Sequence, residues 1–231
     1  MFTKKKLSGF LYFLVVVVIL FFLFRYDIYN QLSTDYLISY KEEILLFREK
    51  NLLLTIIIFS ICSIIWIFLM GFIFPFIVLS ALLFGETYGT LICIISFSIG
   101  ATLNYSFARF FFDEKVKKFF SKRYPMLRKN FKTNDFTYFF IIRILPGIPF
   151  PIKNLSGVIF DISRKRFFFA TFLGELPQIY LFVSVFTKFI HSFDNTKRID
   201  LTFIYSPGIL IAVIIYLVVI IITYYTRKKY F

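Results

Sequence analysis

A cation set inside an apolar run is the first place to look for chemistry in this sequence. Arg143 lies within Phe139-Phe-Ile-Ile-Arg143-Ile-Leu145. A charge in such a segment costs at least about 2.5–3.5 kcal/mol on insertion scales, so it needs an anion, carbonyls or water. Two uses fit: bracing carbonyls freed by the prolines that follow, or contacting the phosphate of a lipid or other substrate. Glu175, in Gly174-Glu-Leu-Pro177, is the clearest acid within an apolar segment. It is placed to pair with Arg143 or Arg109, or to titrate in a proton-coupled cycle. Arg109 closes another apolar run, where it either snorkels to the interface or meets a headgroup. Asn154 has free amide groups to cap backbone broken at Pro151 or to touch the substrate, and Lys153 beside it is expected to snorkel. Glu86 is expected at an exposed hairpin edge, as the second candidate for proton or ion coupling.

Other chemistry is missing its parts. No nucleophile has a plausible His partner, and there is neither a Gly-rich phosphate loop nor an acidic cluster for a metal. His191 is alone in a polar stretch and reads as a solvated loop residue. Cys62 and Cys93 sit within apolar runs as small packing residues, supporting neither a disulfide framework nor zinc. No enzyme activity, cofactor or metal is expected.

These side chains must be positioned by membrane-embedded elements. Of 231 residues, 59% are hydrophobic and 17% charged, which indicates an integral membrane protein. The 36 Phe accompany abundant Ile, Lys and Tyr, the drift of an AT-rich genome and not an aromatic binding surface. The formal charge of +14 does not indicate nucleic-acid binding, because its basic clusters flank or separate apolar runs, as headgroup-facing charge does.

Five segments, residues 7–24, 52–74, 90–112, 167–186 and 206–225, have the length to cross, the fourth interrupted by Gly174 to Pro177. The first lacks a small-x-small cleavage site and reads as an uncleaved span. Residues 36–47 suit an amphipathic surface helix. The charged connector 113–135 reads as solvated and headgroup-touching. Residues 76–84, 136–145 and 152–160 are too short: nine helical residues rise about 13.5 Å, against a hydrocarbon core of about 30 Å. The breakers Pro75, Gly85, Pro146, Gly147, Pro149, Pro151, Gly157 and Pro177 punctuate these pieces, since proline lacks a backbone donor and pushes its predecessor out of helical geometry.

A sixteen-residue phrase recurs at an offset of 76, at residues 69–84 and 145–160, with seven identities in the frame L-x-G-x-x-F-P-x-x-x-L-S-x-x-x-F. One full crossing between the copies would invert the second, so the two hairpins should enter from opposite faces and meet near the midplane. Placing the basic connector inside leaves the N-terminal lysines outside, against the positive-inside rule, unless one segment is miscounted or the first span is atypical. The expected fold is an all-α integral membrane protein with about four spanning helices and two opposed re-entrant hairpins in an inverted repeat. Residues 1–51 form an N-terminal span and surface segment, 52–186 a transport core, and 187–231 a loop and C-terminal span.

Residues 74–85, Gly89 and the run Gly100-Ala-Thr-Leu-Asn-Tyr-Ser-Phe-Ala-Arg109 resemble the first half of the DedA-like VTT domain. The R-x-x-P-x-x-P run from Arg143 to Pro149, with Pro151, Asn154 and Gly157, resembles its second half, and Gly174-Glu-Leu-Pro177 the G-x-x-P that follows. The likeness covers residues 69–186 and is nearest the branch called SNARE-associated Golgi proteins. It implies opposed re-entrant hairpins and lipid translocation. Acids that some members carry in the first hairpin, linked to proton dependence, are missing between Pro75 and Phe84. The expected function is therefore a lipid transporter or scramblase acting on a phosphate-bearing lipid, with membrane lipids as partners, a homo-oligomer left open, and a bacterial cytoplasmic or eukaryotic endomembrane location. The alternatives are an ion- or proton-coupled small-solute transporter using Glu175, and a membrane organiser acting through partners.

Overall fold

The computed structural model describes residues 14, 18, 34–69, 72–111, 125–145, 148–160, 162–196 and 205–230. The expected first span at 7–24, most of the basic connector, Pro146 and Gly147 lie outside them, apart from residues 14 and 18. Seven helices are described: α1 (Thr34–Lys50), α2 (Leu52–Leu69), α3 (Phe74–Phe111), α4 (Pro125–Ile144), α5 (Phe150–Phe160), α6 (Arg164–Thr196) and α7 (Pro207–Tyr230). No strand occurs among the described residues. The chain divides into two compact units, Met1–Cys62 and Ser63–Phe231. In the first, α1 is joined to the start of α2 through Asn51, whose amide bonds the Phe47 carbonyl and whose own carbonyl receives the Thr55 amide.

In the second unit, α3 is a hairpin. Gly85 alone leaves helical dihedrals, at φ 73° and ψ −166°, a left-handed position that glycine occupies without a Cβ penalty. The two arms fold back on each other: Cys93 Sγ bonds the Phe76 carbonyl oxygen at 3.6 Å, and Gly89 lies against the Ser80 carbonyl. The short arm, residues 74–84, rises about 16 Å and is half-depth. The long arm, residues 86–111, has the length to cross.

The offset of 76 extends over whole elements. Phe74 and Phe150 each open a short arm that closes at Phe84 and Phe160, each follows a helix (α2, α4), and each precedes a long one (the long arm of α3, and α6). Each repeat therefore reads helix, break, short arm, tight turn, long helix. Within each, the outer helices run parallel. Gly100 packs on Ile64 and Ile67 while Asn104 Nδ2 bonds the Phe68 carbonyl at 2.7 Å. Likewise, Asp135 meets Arg166 while Arg143 meets Gly174. The two long helices run antiparallel, because Glu86 meets Tyr180 and Ser184 while Tyr105 meets Ile162 and Phe167. Antiparallel equivalents define the inverted repeat.

Several expectations change. Pro75 and Pro151 are second residues of their arms and start helices instead of ending them, because a first-turn residue needs no amide donor. Ile73 and Pro149 provide the first accepting carbonyls. The expected interruption at Gly174 to Pro177 is absent: α6 runs through Pro177, as membrane helices can when neighbours compensate the lost bond. His191 is exposed on α6 and not in a loop. Cys93 is buried and Cys62 exposed. Among the described residues, Leu52–Leu69, Phe74–Phe110 and Arg164–Ser192 have the length and apolarity of membrane spans, the second counted without its fold at Gly85.

Candidate functional site

The polar residues of the second repeat converge where α4 ends and α5 begins. Arg143, on the last turn of α4, is fully enclosed, while Lys153 and Glu175 are 2% and 1% exposed. Lys153 Nζ donates to Glu175 Oε1 at 3.0 Å and to the Arg143 carbonyl oxygen at 2.6 Å, one of the carbonyls a helix end leaves without a partner. Arg143 Nη1 is 3.6 Å from the same Glu175 oxygen, and its Nη2 donates to Asn154 Oδ1 at 2.8 Å. Rings of Phe139, Phe150 and Phe167 surround the guanidinium, 4.8–5.1 Å from Cζ to centroid, so cation–π attraction offsets part of its desolvation. Gly174 makes the pairing of α4 with α6 close enough, since a Cβ there would sit 2.5 Å from Arg143 Cβ.

Formal charges in this cluster sum to +1: two cations and one carboxylate. Arg143 Nε and Nη1, Asn154 Nδ2 and Glu175 Oε2 are buried without a hydrogen-bond partner among the described residues. Arg143 retains donors while Lys153 takes the shared carboxylate oxygen. Glu175 is eleven residues into α6, about 16 Å from its start, roughly half a hydrocarbon core deep. α5 covers one side of the cluster. Its inner face carries Lys153, Asn154 and the buried Gly157, which packs against the Phe139 and Phe167 rings. Its outer face exposes Ile152 and Leu155.

The remaining sequence candidates sit elsewhere. Arg109 Nη1 bonds the Tyr105 hydroxyl at 3.1 Å and the Ile162 carbonyl at 3.4 Å, while Tyr105 also donates to that carbonyl. Arg109 thus braces the α5–α6 turn and is not paired with Glu175. Glu86 is half-buried, correcting the exposed edge: Oε1 accepts from Tyr180 and Ser184 at 2.7 and 2.8 Å, with Lys188 4.0 Å from Oε2. Residues 86 and 162 are equivalent under the 76-residue offset. Each turn is therefore held by a tyrosine and a cation from the long helix of the other repeat.

Two expectations about single residues fail. Lys153 does not snorkel but is a central member of the cluster, and Asn154 caps Arg143 rather than backbone. Both follow from the helix break, which gives a buried lysine an orphan carbonyl and a carboxylate together. The signal was present in the repeat: Arg143, Lys153, Asn154 and Glu175 occupy the places of Ile67, Ile77, Val78 and Ile99.

Half-depth arms in an inverted repeat, with a charged cluster at one broken tip, define a helical integral membrane protein of the re-entrant-hairpin class. The VTT domain family matches residues 63–188, and the chain belongs to that DedA-like family. It is similar to Bacillus subtilis "Uncharacterized protein YqeD", 28% identical over 61% of this chain and 68% of that protein. It is also similar to the "Transmembrane protein 41 homolog" of Dictyostelium discoideum, 26% identical over 55% of this chain and 40% of the relative, and to that of Caenorhabditis elegans, 29% over 52% and 46%. The chain spans about two thirds of YqeD and under half of the two transmembrane protein 41 homologs. No solved structure matches.

Proposed function

We propose that the protein moves a phosphate-bearing lipid between leaflets without an energy-coupling machine. One observation carries this: a buried cluster of net positive charge beneath the eleven-residue α5, in which Arg143 Nε and Nη1 have no hydrogen-bond partner among the described residues. The broken hairpin also places the amide end of α5 at that point, an arrangement suited to an anionic group. Displacement of α5 would open a polar path through the apolar barrier, with Arg143 and Asn154 receiving the phosphate and Glu175 holding the arginine in place. Arg109 acts on the path through the α5–α6 turn. We read the membrane as a bacterial cytoplasmic one, supported by the coverage of YqeD.

Purified protein in liposomes containing tail-labelled phospholipid should bring inner-leaflet label within reach of an impermeant quencher. Label that stays protected, as in empty liposomes, would refute lipid movement. A second function, ion- or proton-coupled solute transport, draws on Glu175 Oε2, which is buried without a hydrogen-bond partner among the described residues. It requires a solute-dependent current or pH change in vesicles whose lipids do not flip.

A further inference from the structure

We propose that Lys153 sets the charge of the lipid that the site accepts, making the buried cluster selective for phosphate lipids of net negative charge over zwitterionic ones. This rests on the lipid-moving function proposed above and adds a selecting residue to it. Three independent observations support it.

The first is the division of one carboxylate oxygen. Glu175 Oε1 is 3.0 Å from Lys153 and 3.6 Å from Arg143. The lysine holds the hydrogen bond and Arg143 Nη1 only the longer ion pair, so that among the described residues Nε and Nη1 have no hydrogen-bond partner. Were Lys153 apolar, Arg143 and Glu175 would remain as a one-to-one pair of zero net charge. Lys153 therefore turns a neutral pair into a cationic receptor and keeps the arginine fork available for a phosphate, whose geometry it matches.

The second is burial. All three charged groups are 2% exposed or less, so water screens their surplus charge weakly. A phosphodiester lipid with an uncharged headgroup brings −1 and leaves the occupied site neutral. A zwitterionic lipid brings the same phosphate together with an ammonium, which must then lie beside a site that is already cationic. Discrimination comes from this repulsive element, as specificity commonly does.

The third is the other half of the repeat. The position equivalent to Lys153 is Ile77, fully buried in the first short arm, with Ile67 and Ile99 at the places of Arg143 and Glu175. The fold accepts an aliphatic side chain at this place, so the lysine is not required to build a short arm. Its Nζ contacts are confined to Glu175 and the Arg143 carbonyl among the described residues, which places its influence on this site.

The test uses the full chain reconstituted into vesicles of phosphatidylcholine and phosphatidylglycerol, with either lipid carrying a tail label that leaves its headgroup intact. The wild-type protein is expected to move phosphatidylglycerol about tenfold faster than phosphatidylcholine, equivalent to roughly 1.4 kcal/mol. Lys153→Met should slow phosphatidylglycerol toward the phosphatidylcholine rate and so bring that ratio to about one, and Lys153→Arg should retain it. Should Lys153→Met not fold, Lys153→Gln gives the same comparison with a polar group kept near the Arg143 carbonyl. A wild-type ratio near one, or a ratio unchanged by loss of the charge, overturns the selection by Lys153 and leaves lipid movement standing. Failure of either lipid to move overturns the function beneath it as well. Uptake of radiolabelled inorganic phosphate by the same vesicles, with no lipid preference, assigns the surplus charge to free phosphate and overturns the lipid assignment.

Discussion

Glu175 is the only carboxylate that the described contacts bring to Arg143 and Lys153, and its loss strands two buried cations. Removing one side of a buried pair costs about 3–5 kcal/mol, so Glu175→Gln should destabilise the protein by about that amount in thermal unfolding in detergent. Lys153→Met should cost less, because it leaves Arg143 paired with Glu175; the reverse order would contradict the charge arrangement. The pairing of Arg143 with Glu175 was legible in the sequence because each interrupts an apolar stretch. Lys153 was not, since a lysine beside a helix break ordinarily snorkels and nothing in its own neighbourhood names a carboxylate 22 residues away. The Phe139, Phe150 and Phe167 cage was concealed by abundance, with 36 phenylalanines in the chain.

At the scale of elements, close approach and turn fixation decide the arrangement. A Cβ at Gly174 meets Arg143 Cβ, so Gly174→Ala should push α6 from α4 at a cost of about 1–3 kcal/mol, read as a lowered unfolding temperature; an unchanged temperature would show the pair to be loosely packed. Tyr180→Phe removes one bond to Glu86, worth about 1 kcal/mol. It should speed amide exchange around Gly85 and leave the α5–α6 turn unaffected, while Tyr105→Phe should do the opposite. Exchange altered at both turns by either change would contradict separate clamps. The short arms 74–84 and 150–160 were legible from length alone, because eleven residues cannot cross a bilayer, whereas the expected short piece 136–145 is the end of the twenty-residue α4, which begins inside the charged connector. The action of the prolines was not: the same residue ends a helix in its interior and starts one in its first turn. Pro177 was read as a break because a sequence shows the missing donor but not the packing of α4 and α7 around α6.

For the whole molecule, the inverted repeat makes a topological demand. With Cys62→Ser and Cys93→Ser as background, cysteines placed at the exposed positions Thr87 and Ser163 should be labelled from opposite sides of the membrane. Labelling from one side would contradict inversion. The repeat was visible over sixteen residues, yet its true unit includes both flanking helices, whose sequences and lengths differ while their order and breaks do not. The same divergence left the first copy aliphatic at four places where the second is polar, which concentrates the buried charge in one half of a symmetric frame. The most direct test of that concentration is inner-leaflet lipid exposure in proteoliposomes with Arg143→Ala beside wild type. The wild type is expected to move lipid, and Arg143→Ala, folded and inserted, to be reduced to the rate of empty vesicles. Full lipid movement by Arg143→Ala would contradict it.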